Sequence, residues 1–178
     1  MKKFLKSYSV FEFIIIALMA GLGLAIKPII VPLIHIITGP LFIPGGAVAG
    51  GFYMLWIILG MGLVKKPGTC LLIGLVQGIM VITLGSVGSH GITSLLTYSM
   101  PGLMAEIPFL IKKKNGFNIL HFLVAGVFAN LTGTYGSNLL FFDLPWIPLM
   151  LSLSAASVSG SLGGIIAYHL SNRFGKLM

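Results

Sequence analysis

Residues 41–68 read LFIPGGAVAGGFYMLWIILGMGLVKKPG. No charged side chain interrupts the run from Leu41 to Val64, and it then stops abruptly at Lys65-Lys66-Pro67-Gly68. A helix needs about 20 mainly apolar residues to cross the hydrocarbon core of a bilayer, and this run is long enough. Similar runs recur on both sides of it, giving expected spans at 9–26, 41–64, 69–84, 92–111, 117–142 and 147–170. Composition agrees with that reading. Of the 178 residues, 57% are hydrophobic and only 8% charged, and the acids are limited to Glu12, Glu106 and Asp143. Globular chains carry roughly a quarter charged residues, so the solvent here is lipid. The expectation is an all-α membrane protein, a single six-helix transmembrane domain over 1–178. Little chain remains for a soluble catalytic or nucleotide-binding domain. No GxxxxGK[ST] phosphate loop occurs, so any work done with ATP must come from a partner.

The formal charge of +8 comes from eleven Lys and Arg in small groups between apolar runs. They form no continuous basic stripe of the kind nucleic acid requires. Strict alternation of six spans places the groups at 2–6, 65–66, 112–114 and 173–176 on one side and leaves Lys27 alone on the other. The positive-inside rule makes the populated side cytoplasmic, so both termini are expected there, in a multi-pass protein of the cell membrane. Lys2, Lys3 and Lys6 ahead of the first run have the charge order of a signal peptide or a signal anchor. The anchor is favoured, because the small residues Gly23 to Ala25 lie beyond a run of about 17 residues that is already long enough to span. The prolines at 28, 32, 40 and 44 predict an irregular but apolar connector from 27 to 44. Cys70 is the lone cysteine. His35 and His90 lack metal-ligand spacing, so neither a metal nor a cofactor is expected.

Polar side chains inside an apolar chain are the candidates for binding. Asn130, Thr134 and Asn138 recur every four residues and share a helix face, with Tyr135 beside it. In hydrocarbon such groups either bond across helices or line a polar cavity, and both readings stand. Gln77 faces the same choice. Lys27, His35 and Thr38 gather in the connector, and Ser86, Ser89 and His90 lie in a glycine-rich loop leading to Tyr98. His90 either donates to a ligand or caps the following helix. Tyr53 and Trp56 offer aromatic faces to a flat ligand, whereas Trp146 suits an interfacial belt. Glu106 is either functional or paired with a lysine or backbone group. Ala17, Gly21 and Ala25, also four apart, stack small side chains along the first helix, which allows close helix contact. That face either packs within the bundle or docks another subunit. The small residues of the last helix, Ser152 to Gly164, read as packing within the bundle.

Six helices with a cytoplasmic N-terminus also describe rhomboid-type intramembrane proteases, but their Gly-x-Ser-Gly motif is absent. In the nearest stretch, Ala156 to Gly160, Ser159 lies ten residues before His169. That separation is about 15 Å along a helix, too far for proton transfer. No enzyme is expected.

The Ala17, Gly21, Ala25 face resembles the Ala-x-x-x-Ala motif of the substrate-binding S components of energy-coupling factor (ECF) transporters. The run from Gly50-Gly51-Phe52-Tyr53 to Lys66-Pro67-Gly68, with Gln77 and Gly102 to Glu106, is similar to the subgroup for the thiamine precursor hydroxymethylpyrimidine. Gln77 stands where an acidic residue is expected in that subgroup. The resemblance implies substrate capture from outside and docking on a transmembrane coupling protein (T component) with two cytoplasmic ATPases, with Ala17, Gly21 and Ala25 as the docking residues. It implies a vitamin or precursor as cargo, hydroxymethylpyrimidine or thiamine first and cobalamin second. The connector at 27–44 and the Gly85 to Gly91 loop are the expected gate. A self-sufficient secondary transporter or channel is the other reading. It calls for a buried coupling charge and often an inverted repeat, and no internal repeat is visible.

Overall fold

The computed structural model describes residues 8–85, 91–111 and 116–176. Among them are six α-helices and no strand: α1 (Val10–Thr38), α2 (Gly45–Val64), α3 (Thr69–Leu84), α4 (Ser94–Ile111), α5 (Ile119–Ser137) and α6 (Trp146–Phe174). Five are long and apolar enough to cross a membrane, and α3 is a shorter apolar helix of 16 residues. A 3₁₀ turn at Gly39–Leu41 joins α1 to α2, and a π-helical turn at Asn138–Phe142 extends α5.

The main departure from expectation is α1. It does not end near residue 26 but continues through Pro28 and Pro32 to Thr38. Each proline forfeits one backbone hydrogen bond, whereas an irregular segment against lipid would leave many polar groups unsatisfied. Both prolines lie on the exposed side. Ser9 starts the helix with a capping box, accepting from the Glu12 N–H while the Glu12 carboxylate accepts from the Ser9 N–H. The second span is correspondingly shorter than expected, since α2 begins at Gly45 and not at Leu41.

Helix α2 forms the centre of the bundle. Fourteen of its 20 residues are buried, including Ile57, Ile58, Leu59 and Met61, because α1, α6 and α5 pack around it. The outward side chains are almost all apolar: Leu18, Leu22, Ile79, Leu96, Leu103, Val158 and Leu162 are all exposed. A surface of that kind belongs in hydrocarbon.

Small residues hold α2, α5 and α6 at backbone contact. A Cβ at Gly126 would collide with the Gly160 carbonyl oxygen, and one at Gly163 would lie 2.8 Å from the Gly51 Cα. Of the small residues of the last span, Ser152, Ala156, Ser159, Gly160, Gly163 and Gly164 face inward, whereas Ser154 is exposed and Ala155, Ser157 and Ser161 are half-buried. Ser159 is a cross-link. It accepts from the Gly51 N–H at 2.8 Å and donates to the Val48 carbonyl at 2.5 Å, which occupies the hydroxyl that a protease reading would need.

At the end of the bundle where α1 begins and α6 ends, polar and charged groups tie the helices together. Lys66 pairs with Glu12 at 2.6 Å, and the Tyr8 hydroxyl donates to the Pro67 carbonyl at 2.9 Å. Glu106 accepts from the N–H groups of Gly68 at 2.7 Å and Cys70 at 2.9 Å. It thereby caps the first turn of α3 from α4, satisfying orphan donors at the positive end of a helix. Gly68 can sit there because its φ is +93°, a conformation that suits glycine. Glu106→Ala should lower stability by about 1–3 kcal/mol, the cost of stripping partners from buried donors. Thermal unfolding in mild detergent, with Glu106→Gln retaining part of the cap, measures it.

Candidate binding site

Two connected spaces lie toward the other end of the bundle. The larger, about 590 Å³, is lined by Lys27, Val31, His35 and Gly39 of α1 and its turn, Phe42, Pro44 to Ala47 and Tyr53 around α2, and Gly133, Thr134, Ser137, Asn138, Phe142 and Leu144 from α5 onward. The continuation of α1 past residue 26 makes this wall, since 27, 31, 35 and 39 recur every four residues and present one face. The opposite face carries Ile29, Leu33, Ile36 and Ile37, all exposed.

The smaller space, about 40 Å³, lies deeper and draws on five helices: Gly23 and Lys27, then Tyr53, Met54 and Ile57, Gln77, Thr97, Tyr98 and Pro101, and Gly133 and Ser137. Lys27, Tyr53, Gly133 and Ser137 border both spaces, so the small pocket is the floor of the large one. Within it the Lys27 ammonium donates to the Tyr98 hydroxyl at 2.8 Å. It also lies 4.3 Å from the Tyr98 ring centre and 5.4 Å from that of Tyr53, inside cation–π range. Tyr53 is held in place by donating to the Gly46 carbonyl at 2.9 Å, and the Gln77 amide reaches the Ala20 carbonyl at 3.4 Å. His35 fastens the rim, its Nδ1 accepting from the Gly45 N–H at 3.2 Å.

The residues singled out from the sequence separate into groups. Tyr53, Gln77, Tyr98, Thr134 and Asn138 line the two spaces. Asn138 also braces the rim, where its Oδ1 accepts from the Leu144 N–H at 2.9 Å. Asn130, about two turns deeper, is fully buried outside the lining, and its Nδ2 donates at 2.9 Å to the carbonyls of both Ala47 and Ala156. It therefore joins α5 to α2 and α6. Trp56 packs against the core and borders neither space. Tyr135 turns outward and is 48% exposed. Ser89 and His90 lie outside the described residues, as does most of the Gly85 to Gly91 loop. The connector named with that loop as the gate is helical over most of its length and forms a cavity wall. Glu106, as a cap of α3, is remote from both spaces.

Lys27 occupies the most informative position and is easily discounted as the one cation on the sparsely charged side. The signal for it is physical: an ionisable side chain within an apolar segment, with no acid at helical spacing on that side, marks a site by default.

The face of Ala17, Gly21 and Ala25 has a definite location. Ala17 and Ala25 are exposed, and a Cβ at Gly21 would meet nothing within 4 Å. The neighbouring Ala20, Gly23 and Leu24 turn into the bundle. The small-residue stripe thus lies on the outer surface of the bundle and is not used in packing within it.

Gly133 is where the two spaces meet. A Cβ there would lie 2.9 Å from the Met54 methyl, which is the end of a flexible chain, and 3.6 Å from Pro101. Gly133→Leu should fill the passage and weaken ligand binding at least about tenfold while the bundle stays folded, since loss of contacts worth ~1.4 kcal/mol suffices. Titration of ligand against the purified subunit, alongside its unfolding temperature, measures both.

The fold and the family have independent support. A crystal structure of an S-component of an ECF transporter superposes on this chain with a TM-score of 0.76, covering 94% of this chain and 85% of that one at 17% sequence identity. At that identity the likeness concerns the fold. No curated protein matches the chain significantly. The family model described as the permease component of an ABC-type cobalt transport system matches residues 11–132. This chain therefore belongs to the family of ABC-type cobalt transport system permease components, and it has the fold of an ECF-transporter S component.

Proposed function

We propose that the chain is the substrate-capture subunit of an ECF-type importer, both termini cytoplasmic, holding a small organic solute in the cavity bounded by α1, α2 and α5. The cavity supports this reading most directly. Its 590 Å³ lies within the usual range for small-molecule sites, and its lining joins aromatic and aliphatic surface to a few convergent polar groups. That volume suits a single heterocycle better than a corrinoid, so a vitamin or precursor of hydroxymethylpyrimidine size ranks ahead of a cobalamin. A bare cobalt ion is a poorer match. Among the described residues no three His, Cys, Asp or Glu side chains come together, and the cavity offers amides, hydroxyls and an ammonium group.

Energy in this reading comes from partners: a T component in the membrane and two cytoplasmic ATPases. The exposed Ala17, Gly21 and Ala25 stripe is the proposed docking surface, since small side chains allow two helices to approach closely in lipid. The charge distribution supports the orientation, with ten of the eleven Lys and Arg on the terminal side. A self-sufficient transporter draws less support, because Glu106 is engaged with the α3 backbone and Glu12 with Lys66.

The test is mass spectrometry of the subunit expressed without partners and extracted in mild detergent. The expected result is one vitamin-sized organic molecule at near-equimolar amount. An empty protein after growth in vitamin-rich medium would overturn the capture reading.

A further inference from the structure

Granting that capture reading, we infer that the cargo carries an ionised acid group, a carboxylate or a phosphate, and that Lys27 is the residue that recognises it. Lys27 borders both spaces, where the wide cavity narrows to its small floor. Its described contacts are the Tyr98 hydroxyl and two tyrosine rings, all electrically neutral. The one ion pair among the described residues is Lys66 with Glu12, Glu106 is occupied at the start of α3, and the third acid, Asp143, forms no ion pair with Lys27. Lys27 is half-buried at the junction of the two spaces, and a cation within an apolar span calls for an opposite charge. Among the described residues no carboxylate supplies it to Lys27.

The shape of the site suits that assignment. The floor measures about 40 Å³. Since a space of about 10–15 Å³ holds one water, this one takes a group of a few atoms and not a ring. Thr97, Gln77 and Ser137 border it with Lys27 and Tyr98, and all carry donors, although the Thr97 hydroxyl and one Gln77 N–H already serve the carbonyls of Ser94 and Ala20. The larger cavity above, with Phe42, Phe142, Val31 and Leu144, accommodates the apolar or aromatic body. The ligand would therefore bind acid group first, and the Lys27 ammonium would exchange its neutral tyrosine partner for a charge-assisted hydrogen bond, the stronger kind. The same lysine disfavours a cationic cargo by placing like charges together in a low dielectric.

The test compares the wild-type subunit with Lys27→Met and Lys27→Arg, each purified alone, analysed by mass spectrometry for retained small molecule, and then titrated with the molecule found in the wild type. The expected outcome is a molecule bearing a carboxylate or phosphate, bound about 10- to 100-fold more weakly by Lys27→Met, the range for loss of a charged hydrogen bond, with substantial binding kept by Lys27→Arg. Unfolding temperatures for all three show whether the fold is retained. If Lys27→Met fails to fold, the Lys27→Arg subunit and the charge of the wild-type ligand still decide. A neutral or cationic wild-type ligand would overturn the inference and leave the capture reading intact. An acidic ligand bound equally well by a folded Lys27→Met would also overturn it. An empty wild-type protein would overturn the capture reading itself.

Discussion

Uptake is expected to fall to background when Ala17 and Gly21 are both replaced by leucine, while the isolated subunit binds its ligand as before. Two observations make the separation sharp. Ala17 is exposed, and nothing lies within 4 Å of the position a Gly21 Cβ would take, so two leucine side chains fit without disturbing the bundle. Surface changes of this kind typically alter stability by less than about 0.5 kcal/mol, which should keep affinity within about twofold. The same leucines would hold a partner helix away from the backbone, removing the close approach that small residues permit. The measurement is ligand uptake into vesicles containing this subunit with the proposed coupling protein and ATPases, beside ligand titration of the subunit alone. Loss of both activities would mean that the stripe supports the fold, and unchanged uptake would place the docking surface elsewhere.

Gly126→Val should be strongly destabilising, preventing α5 from seating on α6. The obstacle at Gly126 is backbone. An added Cβ would collide with the Gly160 carbonyl oxygen and lie 2.9 Å from the Gly160 carbonyl carbon and 3.1 Å from the Gly164 nitrogen. A side chain can change rotamer to make room, but a packed helix backbone must translate as a unit. Overpacking in cores commonly costs 1–3 kcal/mol, and this case should exceed about 3 kcal/mol because no flexible neighbour can yield. Gly136→Ala on the same helix is the control. Nothing lies within 4 Å of its Cβ position, so stability should hold or rise by about 0.5 kcal/mol from reduced backbone entropy. Thermal unfolding and size-exclusion profiles in mild detergent compare the two. A Gly126→Val protein as stable as the wild type would mean that the α5 and α6 backbones do not meet as described.

Asn130 and Asn138 show how far sequence reaches into the site. Their spacing places both on one face of α5, and both are buried, yet Asn130 ties two neighbouring helices together while Asn138 borders the cavity. The difference lies in what stands opposite. Asn130 meets α2 beside Gly50, where an added Cβ would strike its amide, whereas Asn138 lies beyond the packed region, where α1 and the α2 entrance leave space. The first helix presents the converse case. Four prolines between 27 and 44 argue for an irregular connector, but Pro28 and Pro32 lie within α1, because lipid penalises open backbone more heavily than two lost hydrogen bonds.

The solvent, the number of helices, where most of them begin and end, and the uneven distribution of charge are all legible along the chain. Those properties follow from local sums of apolar and charged side chains along the chain. Which polar groups meet, the position of Lys27 where two spaces join, and the outward face of the Ala17, Gly21 and Ala25 stripe emerge from the packing of the helices. Helices that are apolar nearly all round carry only a faint amphipathic signal. Their rotation about their own axes is set by where small residues let neighbouring backbones touch, and that depends on pairs of residues far apart in the chain.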